Sequence, residues 1–295
     1  MIEDVTLSTS DATTRVDVVV APRHGGRVRS ISVTSGSERA ELLIAPGEAD
    51  GSLTWGCYPM APWAGRLRHG RFEFMGDEVL LDLNHADGGD AGGGRIEPPV
   101  DNPGGLAPDD RRHTIHGTTY DRLWDVVSAA DDRIEMTCPI DGSRKWPFPG
   151  LARQLISVRT DGVDFELTVE PTAGPFPATV GWHPWFARPK QIDFEPLAMY
   201  RRDEIGVTTD ELLPPVPPPW DDCFINHRPV RLHYDRGVAP TVTVTSPDCD
   251  HWVVFDGARA GIAVEPQSGP PNAPNVRPDL ASSDRVLRRT MTISW

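Results

Sequence analysis

Apolar residues recur at every second position in many short runs of this chain, which is the pattern of β-strands with one buried face. The runs lie at residues 72–74, 79–83, 134–140, 156–158, 163–169, 242–244, 252–255 and 291–295. Asp161 and Gly162 lie between two of these runs and predict a two-residue hairpin turn with positive φ at both positions. We therefore expect a succession of short strands joined by turns.

No segment shows a sustained helical stripe with caps at both ends, and helices do not alternate with strands. Frequent turns between short strands predict an all-β sandwich or barrel. The 30 prolines are about twice the usual ~5%, and many fall within residues 84–112 and 214–219. The same strand pattern resumes after each of these segments, so we expect residues 1–295 to form a single domain with long loops.

The formal net charge of −14 disfavours nucleic acid and anionic membranes as partners, because both carry negative charge. The N-terminal stretch lacks the basic start and apolar core of a signal peptide, and no apolar run approaches the ~20 residues of a membrane helix. We therefore expect a cytoplasmic protein. The 4 cysteines match no zinc motif and are expected to be reduced thiols.

Two stretches in the first half of the chain place polar side chains among glycine, proline and aromatic residues. Arg66 follows a Pro-Trp-Ala-Gly turn; its guanidinium can bind a ligand oxygen, and a solvated surface arginine is the alternative. His116 precedes Gly117, which indicates a turn or a close backbone approach. His113 and His116 have no third ligand nearby, so we predict no metal site, and a structural role for either histidine stays open.

Two stretches in the second half place a polar side chain directly before a proline. His183 and Glu265 are therefore expected to be extended and to lie at strand ends. Tryptophans beside His183 suit the apolar face of a sugar, and a hydrogen-bonded core histidine is the alternative. Partial burial of Glu265 would raise its pKa and make it a better base near neutral pH.

Five stretches, in this order, resemble the aldose 1-epimerase (galactose mutarotase-like) family. They read WAGRLRHGRF, IHG leading into DRLWDV, GWHPWF, WDDCF and AVEPQSGPPNAPN, and the resemblance as a whole covers roughly residues 56–275. The resemblance implies a large antiparallel β-sandwich, the galactose mutarotase-like supersandwich, with the site in an open cleft on one sheet. The all-β pattern agrees with that implication.

Matched position by position, the resemblance implies roles for five side chains. Glu265 is implied as the general base and His183 as the general acid. Arg66 and His116 are implied as ligands of sugar oxygens, and Asp221 as a carboxylate that binds a sugar hydroxyl. The resemblance also implies a reaction that needs no cofactor and no metal. The expected partner is a monosaccharide, bound by a monomer or a homodimer.

Two matches to the family are loose. The residue before the family's arginine is commonly asparagine, whereas it is Gly65 here. The assignment of Asp221 rests on counting back from Phe224, so Asp222 is the alternative. The insertion at residues 84–112 is also unlike the shorter members, and the sugar preference of the family is not carried over.

The expected function is therefore an aldose 1-epimerase, an isomerase that interconverts the anomers of a free aldose by ring opening and reclosure. A hexose-6-phosphate 1-epimerase is the nearest alternative and needs a basic pocket, for which Arg66, Arg68 and Arg71 are candidates. A glycoside hydrolase would use Asp221 and Glu265 as its carboxyl pair. A carbohydrate-binding sandwich without catalysis is the alternative from a different class, and the 9 tryptophans fit it as well.

Overall fold

Two large antiparallel sheets contain most of the strands. The structure is a computed structural model, and it describes residues 3–47, 53–86, 112–235, 237–259 and 261–295. The first sheet contains β1 (Val5–Ser10), β2 (Thr14–Ala21), β3 (Arg27–Ser35), β4 (Glu38–Glu41), β5 (Cys57–Met60), β16 (Gly181–Ala187), β18 (Ala198–Arg202), β19 (Thr208–Leu213), β20 (Asp221–Ile225), β23 (His251–Phe255) and β24 (Gly261–Gln267). Its strand order is β1-β2-β3-β5-β16-β24-β23-β20-β18-β19, with β4 beside β3.

The second sheet contains β11 (Asp125–Ala130), β12 (Arg133–Ile140), β13 (Gly150–Arg159), β14 (Gly162–Pro171), β17 (Gln191–Asp193), β21 (Val230–His233), β22 (Thr241–Thr245) and β26 (Leu287–Ser294). Its order is β11-β12-β13-β14-β26-β22-β21-β17. Three small ribbons contain β6 (Arg66–Leu67), β7 (Arg71–Phe74), β8 (Asp77–Leu80), β9 (His85–Ala86), β10 (Arg112–Ile115), β15 (Phe176–Pro177) and β25 (Leu280–Ala281). Helical structure in the described ranges is limited to α1 (Ala273–Val276) and the 3₁₀ turns Pro22–His24 and Arg68–Gly70.

The main core lies between the two large sheets. Trp182 of β16 meets Phe165 of β14 edge-on, with ring centroids 6.4 Å apart. Along β24, Ile262 and Val264 belong to this core, whereas Ala263 belongs to a smaller apolar cluster. Because successive strand residues point to opposite faces, odd-numbered positions of β24 face away from the second sheet. This outer face of the first sheet carries the candidate site.

The predicted all-β sandwich is confirmed, and one predicted turn is wrong by a residue. Arg159 pairs with Gly162, so the turn between β13 and β14 consists of Thr160 and Asp161. Neither Asp161 nor Gly162 has positive φ. Glycine is needed at position 162 for a steric reason, because a Cβ there would lie 2.9 Å from the carbonyl oxygen of Ile293 on β26. Its missing side chain permits close strand approach.

His183 and Glu265 lie inside β16 and β24 rather than at strand ends, so that prediction is wrong. The following residues, Pro184 and Pro266, have no N–H to donate to a ladder. The pairing of β16 with β24 is correspondingly interrupted between the pairs 181–267 and 185–263. Both strands continue because their other neighbours, β5 and β23, keep pairing with them.

Three further expectations concern the rest of the chain. All 4 cysteines are free and buried, as predicted for reduced thiols. Within the described ranges, no helix has the length and apolar character needed to cross a membrane. Most of the insertion at residues 84–112 lies outside the described residues, which leave out residues 87–111.

Candidate functional site

A row of side chains crosses the middle of the first sheet on its outer face. Cys223, Val253 and Glu265 are opposed to one another on β20, β23 and β24. His183 on β16 is opposed to Tyr58 on β5. The pairs two residues to either side of His183 and Glu265 are in register, so these two residues face each other across the interrupted ladder.

The two groups are in direct contact. Nε2 of His183 lies 3.2 Å from Oε1 of Glu265, and the side chains are 8% and 3% exposed. Oε2 of Glu265 accepts a hydrogen bond of 3.1 Å from Nε2 of Gln267. Gln267 lies two residues along the same strand and therefore on the same face. Both carboxyl oxygens thus have a partner, which fixes the orientation of the carboxyl group.

Burial works against charge on either member of this pair. Desolvation raises the pKa of Glu265 well above its usual value, and the nearby charge of Asp221 raises it further. Desolvation, with a smaller contribution from the Arg27 cation, lowers the pKa of His183 to about 3. The distance alone would permit an ion pair, but both shifts favour a neutral carboxyl and a neutral imidazole that share one proton.

Aromatic rings hold the His183 imidazole in place. The Tyr58 ring stacks on it with centroids 4.7 Å apart, and the Trp185 ring lies 5.2 Å away at a tilt. The Tyr58 hydroxyl and the Trp185 Nε1 both donate to the carbonyl oxygen of Leu53, at 3.3 and 2.6 Å. The ring that contacts Glu265 therefore has little freedom to turn away from it.

His116 enters the same site from the end of β10. Its φ is +60°, and its ring meets that of His183 edge-on with centroids 5.1 Å apart. The following residue must be glycine, because a Cβ on Gly117 would lie 1.9 Å from the carbonyl oxygen of Ala61. The backbone N–H of Gly65 donates to Nδ1 of His116 at 3.2 Å. The neutral imidazole therefore carries its proton on Nε2 and acts as a donor there.

The Gly65 position, where the family commonly has asparagine, is closed to any larger residue. Gly65 has φ +70°, and a Cβ there would lie 2.6 Å from Cβ of Pro271. In this chain the backbone of Gly65 orients His116, and the ring of Pro271 takes up the space that a side chain would need.

Two arginines and two aspartates lie next to the buried pair, and we name Arg66, Arg202, Asp221 and Asp222 the Arg–Asp cluster. Oδ2 of Asp221 lies 3.5 Å from the Arg66 guanidinium and 3.1 Å from that of Arg202. Nε of Arg202 also lies 3.0 Å from Oδ1 of Asp222. Asp221 is two residues from Cys223 and so shares its face, whereas Asp222 has the opposite parity. The geometry thus favours Asp221 over Asp222 as the residue facing the buried pair.

His116, His183 and Glu265 also form a possible metal-binding trio, with ligand atoms within 4.8 Å of one another. Sequence reasoning paired His116 with His113 and did not predict this grouping. His113 is buried elsewhere, where its Nδ1 accepts the backbone N–H of His69 at 3.2 Å. In His116 the Nδ1 lone pair is already used and Nε2 carries the proton, so neither nitrogen is ready to ligate a metal. The trio is better suited to hydrogen bonds with oxygen ligands.

The structure brings all five predicted residues together, and it adds others that sequence reasoning did not select. Tyr58 lies in the same stretch as Arg66 but has no polar signal of its own. Gln267 could have been found from its two-residue spacing from Glu265, which places both on one face of a strand. Arg202 comes from a stretch without a motif, so only the sheet order reveals it.

The two packed antiparallel sheets, with polar groups converging on one outer face, define a galactose mutarotase-like β-sandwich. A galactose mutarotase-like protein from Clostridium acetobutylicum superimposes with a TM-score of 0.74 at 12% identity, over 99% of this chain and 98% of that one. A galactose 1-epimerase from Lactobacillus acidophilus NCFM gives 0.71 at 15% identity, over 99% and 93%. At such identities these similarities establish the fold.

The family follows from the sequence as a whole. The profile of the aldose 1-epimerase family matches residues 9–273. The chain belongs to the aldose 1-epimerase family, as its five motifs predicted. The Escherichia coli (strain K12) protein YphB is 26% identical to it over 146 residues, which are 49% of this chain and 41% of that relative.

Proposed function

We propose that the protein is a cofactor-independent aldose 1-epimerase that interconverts the α and β anomers of a free aldose. The observation that carries the proposal is the 3.2 Å contact between Oε1 of Glu265 and Nε2 of His183 in a buried position. Ring opening removes a proton from the anomeric hydroxyl and delivers one to the ring oxygen. A carboxylate beside an imidazolium can perform both transfers, and such acid–base help is typically worth ~10²–10⁴-fold.

The pair holds the same number of protons before and after ring opening. Glu265 takes the proton of the anomeric hydroxyl O1, His183 gives its proton to the ring oxygen O5, and the C1–O5 bond breaks. The products are the open-chain aldehyde and a neutral pair. Rotation about C1–C2 exposes the other carbonyl face, and reclosure reverses both transfers. Burial favours the neutral form of the pair, which is the form that accompanies the open-chain sugar.

The surrounding groups supply binding and charge stabilisation. Arg66 and the Nε2–H of His116 can donate to sugar oxygens and stabilise negative charge that develops on oxygen during ring opening. Asp221 can accept a hydrogen bond from a sugar hydroxyl while it stays paired with Arg66. The rings of Tyr58 and Trp185 offer apolar surface beside His183.

The distribution of charge favours a free aldose over a phosphorylated one. A phosphate pocket needs arginines that are available to an anion. The three arginines considered for that role each face a carboxylate: Arg66 faces Asp221 at 3.5 Å, Arg68 faces Asp203, and Arg71 faces Glu78 at 3.2 Å. A phosphate would have to displace these carboxylates.

Anomer exchange followed by NMR across free aldoses and their 6-phosphates tests the proposal. We expect the protein to accelerate exchange of at least one free aldose and to act less well on its 6-phosphate. His183→Asn is the matched variant, because an amide has similar polarity but cannot deliver a proton, and it should lose the acceleration. Equal rates in the two proteins would exclude His183 as the acid.

The same experiment separates the alternatives. A carbohydrate-binding sandwich would bind an aldose without changing its exchange rate. A glycoside hydrolase would release reducing sugar from aryl glycosides, which we do not expect because the immediate partner of Glu265 is an imidazole rather than a second carboxyl group.

A further inference from the structure

Asp222 belongs to the Arg–Asp cluster but has no part in the proposed chemistry. Its Oδ1 lies 3.0 Å from Nε of Arg202, and its Oδ2 accepts the backbone N–H of Asp221 at 3.3 Å. The side chain is only 9% exposed. Both carboxyl oxygens are thus engaged in a nearly buried position, where a charged group needs such partners.

Arg202 is the partner that matters for ligand binding. It bridges Asp221 and Asp222, and its side chain is 30% exposed. Arg202 and Arg66 line one small cavity of about 20 Å³, together with both aspartates. The cavity has room for roughly one water molecule, so an anion cannot enter this cavity while the pairs of the cluster are intact.

The four charges of the cluster balance, with two guanidinium and two carboxylate groups. Guanidinium groups bind phosphate through parallel hydrogen bonds when their donors are available. Here Asp221 lies against both guanidinium groups, and Asp222 occupies Nε of Arg202. An approaching phosphate would meet the two carboxylates as well as the two cations.

We propose that Asp222 is a specificity-determining residue, which keeps Arg202 occupied so that the site accepts neutral aldoses and rejects phosphorylated ones. This inference rests on the proposed function for its kinetic consequence. Its binding consequence is independent of catalysis, because it concerns only whether Arg202 is available to an anion.

The test is Asp222→Asn, which keeps the size of the side chain and one of its two acceptor oxygens and removes one negative charge. Glu211→Gln is the matched control. It also removes one carboxylate that is paired with an arginine, because Glu211 of β19 lies 2.8 Å from Arg201 of β18. We expect Asp222→Asn to bind inorganic phosphate at least about 10-fold more tightly than the wild type in a calorimetric titration. The ratio of kcat/KM for an aldose 6-phosphate to that for the free aldose should rise by a similar factor.

Arg202→Gln is a second variant that can be measured even if Asp222→Asn does not fold. Removing the cation should lower that kcat/KM ratio, and adding Arg202→Gln to Asp222→Asn should abolish the gain in phosphate binding. Unchanged phosphate binding in Asp222→Asn, or an equal gain in Glu211→Gln, would overturn the inference. If the wild type accelerates no aldose, the proposed function fails while the phosphate titration still decides the role of Asp222.

Discussion

The Glu265–His183 pair and the Arg–Asp cluster are neighbours on one sheet face, yet they hold charge in opposite ways. The side chains of the pair are 3% and 8% exposed, and burial drives both groups toward neutrality. The cluster is more open, because the side chains of Arg202 and Asp221 are 30% and 15% exposed. Each guanidinium group in the cluster contacts at least one carboxylate group. In the proposed reaction the pair becomes neutral when the sugar ring opens, whereas recognition of hydroxyls needs charges that stay in place. Under the proposed function, burial suits the pair to proton transfer, and the opposite charges around each group suit the neighbouring cluster to sugar binding.

The largest expected effect comes from removing the carboxyl group of the pair. Glu265→Gln should lower the rate of mutarotation by ~10²–10⁴-fold, because the amide cannot accept the anomeric proton. Polarimetry of a freshly dissolved α-aldose measures the change. Glu170→Gln, an exposed substitution on β14 in the second sheet, is the control and should leave the rate unchanged. Undiminished mutarotation in Glu265→Gln would rule out Glu265 as the base.

A smaller effect should follow from breaking the cluster at its centre. Asp221→Asn removes the carboxylate shared by Arg66 and Arg202, together with a charged acceptor for a sugar hydroxyl. Such a hydrogen bond contributes about 1.5–3 kcal/mol, which corresponds to a loss of roughly 10- to 150-fold in kcat/KM. Initial rates over a range of sugar concentrations measure it.

Asp210→Asn is the control for this substitution, because Asp210 is exposed on the edge strand β19. A loss in Asp221→Asn no greater than that in the control would show that Asp221 does not contact the sugar.

We expect Glu265→Gln to be more stable than the wild type although it loses activity. Glu265 has a folded-state pKa above its unfolded value of about 4.3. The wild type therefore loses stability as pH rises from that value through the folded-state pKa. Glutamine does not titrate, so Glu265→Gln should melt at a higher temperature than the wild type at pH 8. The melting temperatures should converge at pH 4.

Each kcal/mol regained should raise the melting temperature by about 1.6 °C, because the entropy of unfolding grows with chain length. Calorimetric scans at the two pH values measure the difference. A Glu265→Gln protein that is less stable than the wild type at pH 8 would mean that the carboxyl group is ionised and well paired in the folded protein.

The smallest effect is expected for an ion pair with neither burial nor a network. Arg201 and Glu211 lie 2.8 Å apart with side chains 58% and 50% exposed. Glu211→Gln should leave the free energy of unfolding nearly unchanged and should not change mutarotation. Urea unfolding followed by circular dichroism measures the first quantity. A larger loss would show that exposure is a poor guide to which charge pairs matter in this protein.

The strands and the family were predictable from local information, and much of the site geometry was not. Alternation at residues 134–140 and 163–169 predicted β12 and β14, because it reports which face of a strand is buried. Proline after His183 and Glu265 suggested strand ends, yet both strands continue through the prolines because their other neighbours keep pairing with them. The contact of Arg202 with Asp221 had no local signal, since the stretch around Arg202 carries no motif.

The order of apolar and polar residues was enough to establish an all-β chain, and five short motifs in order were enough to indicate the aldose 1-epimerase family. Both are properties of residues close together in sequence. The contact of Glu265 with His183, the proton position on His116 and the sharing of Asp221 between two arginines depend on strands that are distant in the chain and adjacent in the sheet. Strand order, register and burial set those distances and charges, and each arises only when the whole chain packs.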